Sequence, residues 1–233
     1  MYLRKVIFSA IISSFLLLSA CSNSGDTQVN SDPVTPSENG QVSNESSEVL
    51  KSYEQAVKLY NEEKLDEALP LFEKSISQDS ANGEYDYYIG NIYRKKNDLQ
   101  KALTNYQNAF KKSPKLIEAY NNATAIQMAT QNFDEALATA DMGLKESPDF
   151  ADLKFKKAQI LYVKQQFHDA IPLLKELAKD TNYFEASRFL GYAYAGLNDK
   201  VNALEHLNEY LKQAPEGVPY RDKVKDVIAQ LEK

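Results

Sequence analysis

Side chains capable of strong chemistry are scarce in this sequence. Its 233 residues include one cysteine, Cys21, and two histidines, His168 and His206. A single cysteine can neither close an internal disulfide nor supply a multi-cysteine metal site. No Gly-Xaa-Ser-Xaa-Gly elbow, phosphate-binding glycine loop or His-Glu-Xaa-Xaa-His pair occurs. The chain therefore offers no activated nucleophile, no cofactor motif and no metal-ligand set. Both histidines are expected to be solvated. The carboxylates Glu54, Glu84, Glu118, Asp152 and Glu185 are spread along the chain rather than gathered. Binding chemistry is plentiful by contrast, with 15 tyrosines interleaved with asparagine and arginine. Tyrosine gives large contact area at low entropic cost, and an asparagine amide can bond a peptide backbone. A net charge of -6 and a pI near 5.1 argue against a nucleic-acid partner, which needs concentrated cationic surface.

Cys21 sits in a context of its own. Arg4 and Lys5 precede an apolar run from Val6 to Leu18, broken by Ser9, Ser13 and Ser14. The run falls short of the ~20 apolar residues a membrane span needs, and the pattern is that of a secretory signal. Leu18-Ser19-Ala20-Cys21 resembles a bacterial lipobox. That resemblance implies a signal peptide over residues 1–20. It also implies an acylated Cys21 carrying a diacylglyceryl thioether and often a third, N-linked chain. Cleavage would remove Arg4 and Lys5 and no acid, taking the net charge from -6 to -8. An acidic body is not drawn to anionic lipid, so the acyl chains must hold the membrane. The expected address is the cell envelope, lipid-anchored. In a cell with two membranes, Ser22 rather than Asp after the cysteine favours the outer membrane by family analogy. In a cell with one, the protein stays on that membrane's outer face.

Residues 21–48 read as the lipidated cysteine followed by a disordered stalk. Ser22 to Ser47 holds no Leu, Ile, aromatic, Lys or Arg, too little apolar surface to offset the entropy of ordering. Its flexible-chain reach is about 28 Å.

The elements that must position the tyrosines and asparagines follow from a repeat. Leu65-Asp66-Glu67-Ala68-Leu69 recurs in variant form around Ala102, Ala136, Ala170 and Ala203, at spacings of 34, 34, 34 and 33. This resembles the tetratricopeptide repeat, whose period is 34 residues. The resemblance implies an all-α, right-handed α-solenoid of about five helix pairs, at 49–82, 83–116, 117–150, 151–183 and 184–217. A capping helix over 218–233 follows from Val224, Val227, Ile228 and Leu231, spaced as one apolar helix face.

Within each repeat the alanine is position 20. Position 8 is small (Ala56, Gly90, Thr124, Ala158, Gly191), which lets two helices approach. Position 24 is mostly large (Phe72, Tyr106, Ala140, Leu174, Leu207) and fills the seam. No repeat can bury its apolar faces alone, so neighbours must stack. First helices are expected to end at Asn97-Asp98, Gln131-Asn132 and Asn198-Asp199. Asp66 and Asp134 are candidate N-caps for second helices. Pro70 and Pro172 fall early in those helices.

The family's concave face is lined chiefly by first helices, and the resemblance implies a protein or peptide partner there. The candidate partner-binding residues are Tyr53, Tyr87, Tyr88, Asn91, Arg94, Asn121, Asn122, Phe155, Lys156, Tyr162, Arg188 and Tyr192. Some members of the family grip a peptide C-terminal carboxylate with five defined positions. Here those are Tyr87, Asn91, Asn122, Asp152 and Lys156, and Tyr87 and Asp152 break the pattern. No such clamp is expected. The functional expectation is a lipid-anchored scaffold or adaptor in an envelope assembly, with no catalysis. The alternative is an envelope glycan-binding module or an enzyme built on the same solenoid.

Overall fold

The structure, a computed structural model, describes residues 44–233, with side chains from Glu48 onward. The signal peptide, Cys21 and residues 22–43 lie outside the described residues. The described residues form eleven α-helices and no strand. They are α1 (Asn44–Asn61), α2 (Leu65–Gln78), α3 (Gly83–Lys95), α4 (Leu99–Lys112), α5 (Ile117–Ala129) and α6 (Phe133–Glu146). Then come α7 (Ala151–Val163), α8 (Phe167–Leu177), α9 (Phe184–Gly196), α10 (Lys200–Gln213) and α11 (Arg221–Leu231), with a 3-10 turn at Thr181–Tyr183. This is the all-α architecture of an α-solenoid, built from helix pairs. Two compact units divide it, 44–126 and Gln127–Lys233. Helix α1 starts at Asn44, so its first turn extends into the segment expected to be without structure. Glu48 in that region pairs with Lys74 of α2 at 2.9 Å.

Each first helix ends the same way. Glu63, Asn97, Gln131, Gln165 and Asn198 take the left-handed conformation, with φ between 58° and 61°. The amide of the next residue then bonds a carbonyl five positions back. Examples are Asp98 N to Tyr93 O at 2.8 Å and Gln166 N to Leu161 O at 2.9 Å. This six-to-one bond satisfies a carbonyl the helix would leave orphaned.

Second helices start less uniformly than the sequence suggested. Asp98 and Asp199 are N-caps, each accepting from a backbone amide at 3.1 Å. The expected caps Asp66 and Asp134 instead lie inside their first turns, and Lys64 and Asn132 hold the cap positions without a side-chain bond. Both aspartates are drawn instead to lysines that end the following first helix, Asp66 to Lys96 and Asp134 to Lys164. They still favour the positive helix end. Pro70 and Pro172 are the sixth residues of α2 and α8, and each forgoes one ladder donor without ending its helix.

Packing explains the repeat's small and large positions. Ala68, Ala102, Ala136, Ala170 and Ala203 are all fully buried. A Cβ on Gly90 would lie 2.8 Å from the Tyr106 ring, and one on Gly191 would lie 2.5 Å from Leu207 Cγ. Position 8 is small because position 24 of the partner helix already occupies its space. Phe72, Tyr106, Leu174 and Leu207 are themselves fully buried, each contributing roughly 1.5–3 kcal/mol of apolar burial. In the second unit Val224, Val227 and Leu231 of α11 join the cluster of Leu207 and Tyr210. Arg221 fixes the entry to α11 by donating from Nη1 to the carbonyls of Leu211 and Ala214, at 2.8 and 2.6 Å.

Candidate functional site

Two faces carry the candidate residues, one in each unit. In the first unit the first-helix tyrosines are largely packing groups. Tyr88 stacks on Phe72 with centroids 5.0 Å apart and planes 6° apart. Tyr53 lies 5.3 Å from Tyr85 and 6.1 Å from Tyr88, and its hydroxyl donates to Glu84 Oε2 at 2.7 Å. Burial and then that carboxylate push the Tyr53 phenol well above its ordinary pKa. Tyr87 is buried, 5.9 Å from the Tyr106 ring.

The asparagines are held differently. Tyr106 Oη, fully buried at the foot of the face, donates to Asn91 Oδ1 at 2.7 Å and accepts from Arg94 Nε at 3.3 Å. Asn122 Nδ2 also donates to Asn91 Oδ1, at 3.3 Å. With its oxygen occupied twice, Asn91, itself only 3% exposed, keeps its amide donors uncommitted, and Asn122, less buried, keeps its carbonyl oxygen. A donor and an acceptor held side by side match the N–H and C=O of an extended peptide. Asn121 does not join them; its Oδ1 is buried without a partner among the described residues. Burial keeps the Tyr106 phenol neutral by raising its pKa, against the opposing pull of Arg94. The sequence pattern marks Tyr106 as a core residue, and nothing in it signals the second duty of orienting Asn91.

The second unit's face is more aromatic. Phe155 meets Phe189 at 5.7 Å and Tyr183 at 6.0 Å, both edge-on. Tyr162 is buried against Phe189 at 5.3 Å and Phe167 at 5.7 Å. Its hydroxyl is buried without a partner among the described residues, and burial raises its pKa. Arg188 is only 5% exposed. Its Nε donates to Glu185 at 2.7 Å, and its guanidinium lies 4.7 Å from Phe189, 5.7 Å from Tyr192 and 4.2 Å from Tyr220. Arg188 is thus a buried, paired cation stacked between rings rather than an open docking group. Tyr192 is buried alongside it. Lys156 is half-buried and Asp152, one turn before it, accepts from the Tyr183 hydroxyl at 2.6 Å. Tyr183 sits in the 3-10 turn, outside every position the repeat pattern singles out.

Among the described residues, no three His, Asp or Glu side chains gather as a metal site. His168 is exposed. His206 is not solvated as expected: it is half-buried and stacked on Tyr194 at 5.6 Å, and burial lowers its pKa. No helix of the described residues is long and apolar enough to cross a membrane.

A family model for the TPR repeat matches residues 90–131, and one for the tetratricopeptide repeat matches 126–183 and 155–218. The fold is similar to that of YrrB, described as a TPR protein with an unusual peptide-binding site. The TM-score is 0.65 at 16% identity, over 78% of this chain and 90% of that one. It is also similar to PilW, a type IV pilus biogenesis factor, with a TM-score of 0.59 at 18% identity, over 78% and 88% of the two chains. A thermophilic TPR protein of Thermus thermophilus gives 0.52 at 19% identity, over 78% and 99%. No curated protein matches the chain by sequence.

Proposed function

Because the chain belongs to the tetratricopeptide-repeat family, we propose that it is a non-catalytic scaffold. It binds a protein or peptide partner on the face formed by its first helices. The observation that carries this reading is the pair of amides at Asn91 and Asn122, oriented by a buried phenol. Holding Tyr106 Oη, two asparagines and Arg94 in one network costs conformational freedom that packing alone does not require. A partner backbone bonding both amides gives that arrangement a use. The site described for YrrB, a peptide-binding one, is in keeping with this reading.

The proposal extends to the address. Cys21, the only cysteine, directly follows an apolar run behind Arg4 and Lys5. In this reading acyl chains on Cys21 hold the scaffold to the cell envelope, where it recruits a component of an assembly. PilW, a pilus biogenesis factor, offers a precedent of similar fold. Crosslinking in intact envelopes, followed by mass spectrometry, tests the face. Asn122→Ala with Arg94→Ala is expected to abolish the main crosslink with little change in melting temperature. Unchanged crosslinking would move the site elsewhere. Labelled palmitate incorporation, lost in Cys21→Ala, tests the anchor; retained label would refute it.

A further inference from the structure

One helix departs from the charge of the rest of the chain. The protein is acidic, with a net charge of -6. Yet no Asp or Glu occurs between Asp98 and Glu118, a stretch that holds Lys101, Lys111, Lys112 and Lys115. It covers the whole of α4, which alone among the described helices carries no acid. The equivalent helix before it, α2, carries Asp66, Glu67 and Glu73 against Lys74. A helix C-terminus favours cations in its last turn. That accounts for Lys111 and Lys112, but not for Lys101 or for the missing acids.

The lysines also share a direction. Tyr106 turns inward from α4 to bond Asn91. At about 100° per residue, Lys101, Thr104, Asn108 and Lys111 all fall within about 40° of the opposite direction. Lys101, Thr104 and Lys111 are exposed, and Asn108 is half-buried. Lys115 follows, exposed, in the turn after the helix. Lys112 is bound to Asp86 at 2.6 Å, and Lys101 is drawn to Asp98 at 3.2 Å. Lys111 and Lys115 make no ion pair among the described residues. The result is a polar, cationic strip whose helical part runs roughly 15 Å.

We infer that this side of α4 rests against an anionic lipid surface and turns the binding face of the first unit away from it. The inference rests on the lipid-anchored reading above and supplies the orientation that reading leaves open. Net charge does not decide such a contact. Charges farther off than about 8 Å are screened at physiological ionic strength, so the headgroups meet the strip as a local cation. Each lysine near an anionic surface shifts the equilibrium roughly fivefold. That is too little to hold a free protein and enough to orient a tethered one, because the tether keeps the local concentration high. A flexible reach of about 28 Å leaves the body free to turn. Asn91 lies on the far side of α4 from the strip, so the amides at Asn91 and Asn122 face a partner rather than the membrane.

The test uses the chain from Cys21 onward, which keeps every described residue, coupled through that sole cysteine to a maleimide lipid. The vesicles are phosphatidylcholine alone, or phosphatidylcholine and phosphatidylglycerol in a two-to-one ratio. Lysines are acetylated with a water-soluble active ester, and the rates are read by mass spectrometry. On the anionic vesicles Lys111 and Lys115 are expected to react about fivefold more slowly than on the neutral ones. Lys51 and Lys58 of α1, both exposed, should not change. High salt should abolish the protection. Lys111→Gln with Lys115→Gln should remove any protection of Lys101 without lowering the melting temperature. Equal rates on the two vesicles, protection shared by Lys51 and Lys58, or protection that survives high salt would overturn the inference. Because the lipid is attached chemically, such a result leaves the anchor itself to stand or fall on palmitate labelling.

Discussion

Among the described residues, five non-glycine positions hold the left-handed conformation, so exchanging them for glycine should change the stability of the fold by unequal amounts. Gln165 and Gln131 are exposed, at φ 59° and 61°. An ordinary L-residue in that conformation costs roughly 1–2 kcal/mol. Glycine relieves that strain but raises the entropy lost on folding by roughly 0.5–1 kcal/mol. The net gain is about 0.5–1 kcal/mol per site, or a rise of about 1–4 °C in melting temperature for a domain of this size. Asn97 and Asn198 occupy the same repeat position, but asparagine tolerates the left-handed region, so Asn198→Gly should change little. Glu63→Gly should gain less than Gln165→Gly, because it also discards the 2.7 Å ion pair with Lys95. That pair is exposed and worth at most about 1 kcal/mol. Thermal melts followed by circular dichroism rank the variants. The expected order is Gln165→Gly and Gln131→Gly above Glu63→Gly, with Asn198→Gly near zero. An equal effect at Gln165 and Asn198, or a loss at Gln165, would refute the reasoning.

Three more outcomes follow from the packing and the buried phenols. Gly191→Ala places a methyl 2.5 Å from Leu207 Cγ and should destabilise by about 1–3 kcal/mol, measured by urea unfolding. Tyr106→Phe keeps the ring but removes one of the two donors to Asn91 Oδ1 and the hydroxyl that accepts from Arg94 Nε. It should cost roughly 0.5–1.5 kcal/mol while weakening partner crosslinking more than its small loss of stability explains. Burial raises the pKa of the Tyr106, Tyr162 and Tyr210 phenols above the ordinary value of about 10. The stability this implies is intact below pH ~10 and is lost as pH rises through the higher folded values. Phenolate absorbance and loss of helicity should therefore appear together in an alkaline titration. Early phenolate formation by all tyrosines in a folded chain would contradict it.

How much of this was legible depends on whether a residue serves the period. Ala102 and Gly90 are visible in the sequence because the same geometric demand returns every 34 residues, and the structure meets it with full burial of Ala102 and a ring against Gly90. The breaks at Asn97 and Asn198 were visible for the same reason. Asp66 and Asp134 misled, since a second-helix aspartate fits a cap in sequence while its partner lysine lies 30 residues away. The site was less legible than the fold. Tyr88 and Asn91 share a helix, yet one packs against Phe72 and the other is oriented by Tyr106. Only the neighbouring helix decides which. Arg188 has the composition of a docking residue and the surroundings of a buried ion pair. Tyr183 could not be picked out, because it belongs to the 3-10 turn, where the repeat makes no demand.

Tyr106 touches nothing outside the protein, yet its hydroxyl sets which way Asn91 faces. A lineage that drifted to phenylalanine there would keep its helices, its solubility and its expression level. Beyond a small loss of stability, it would lose the register in which the surface reads another chain. Specificity in such a repeat can therefore change from the inside, by a single oxygen atom, with every exterior residue left as it was.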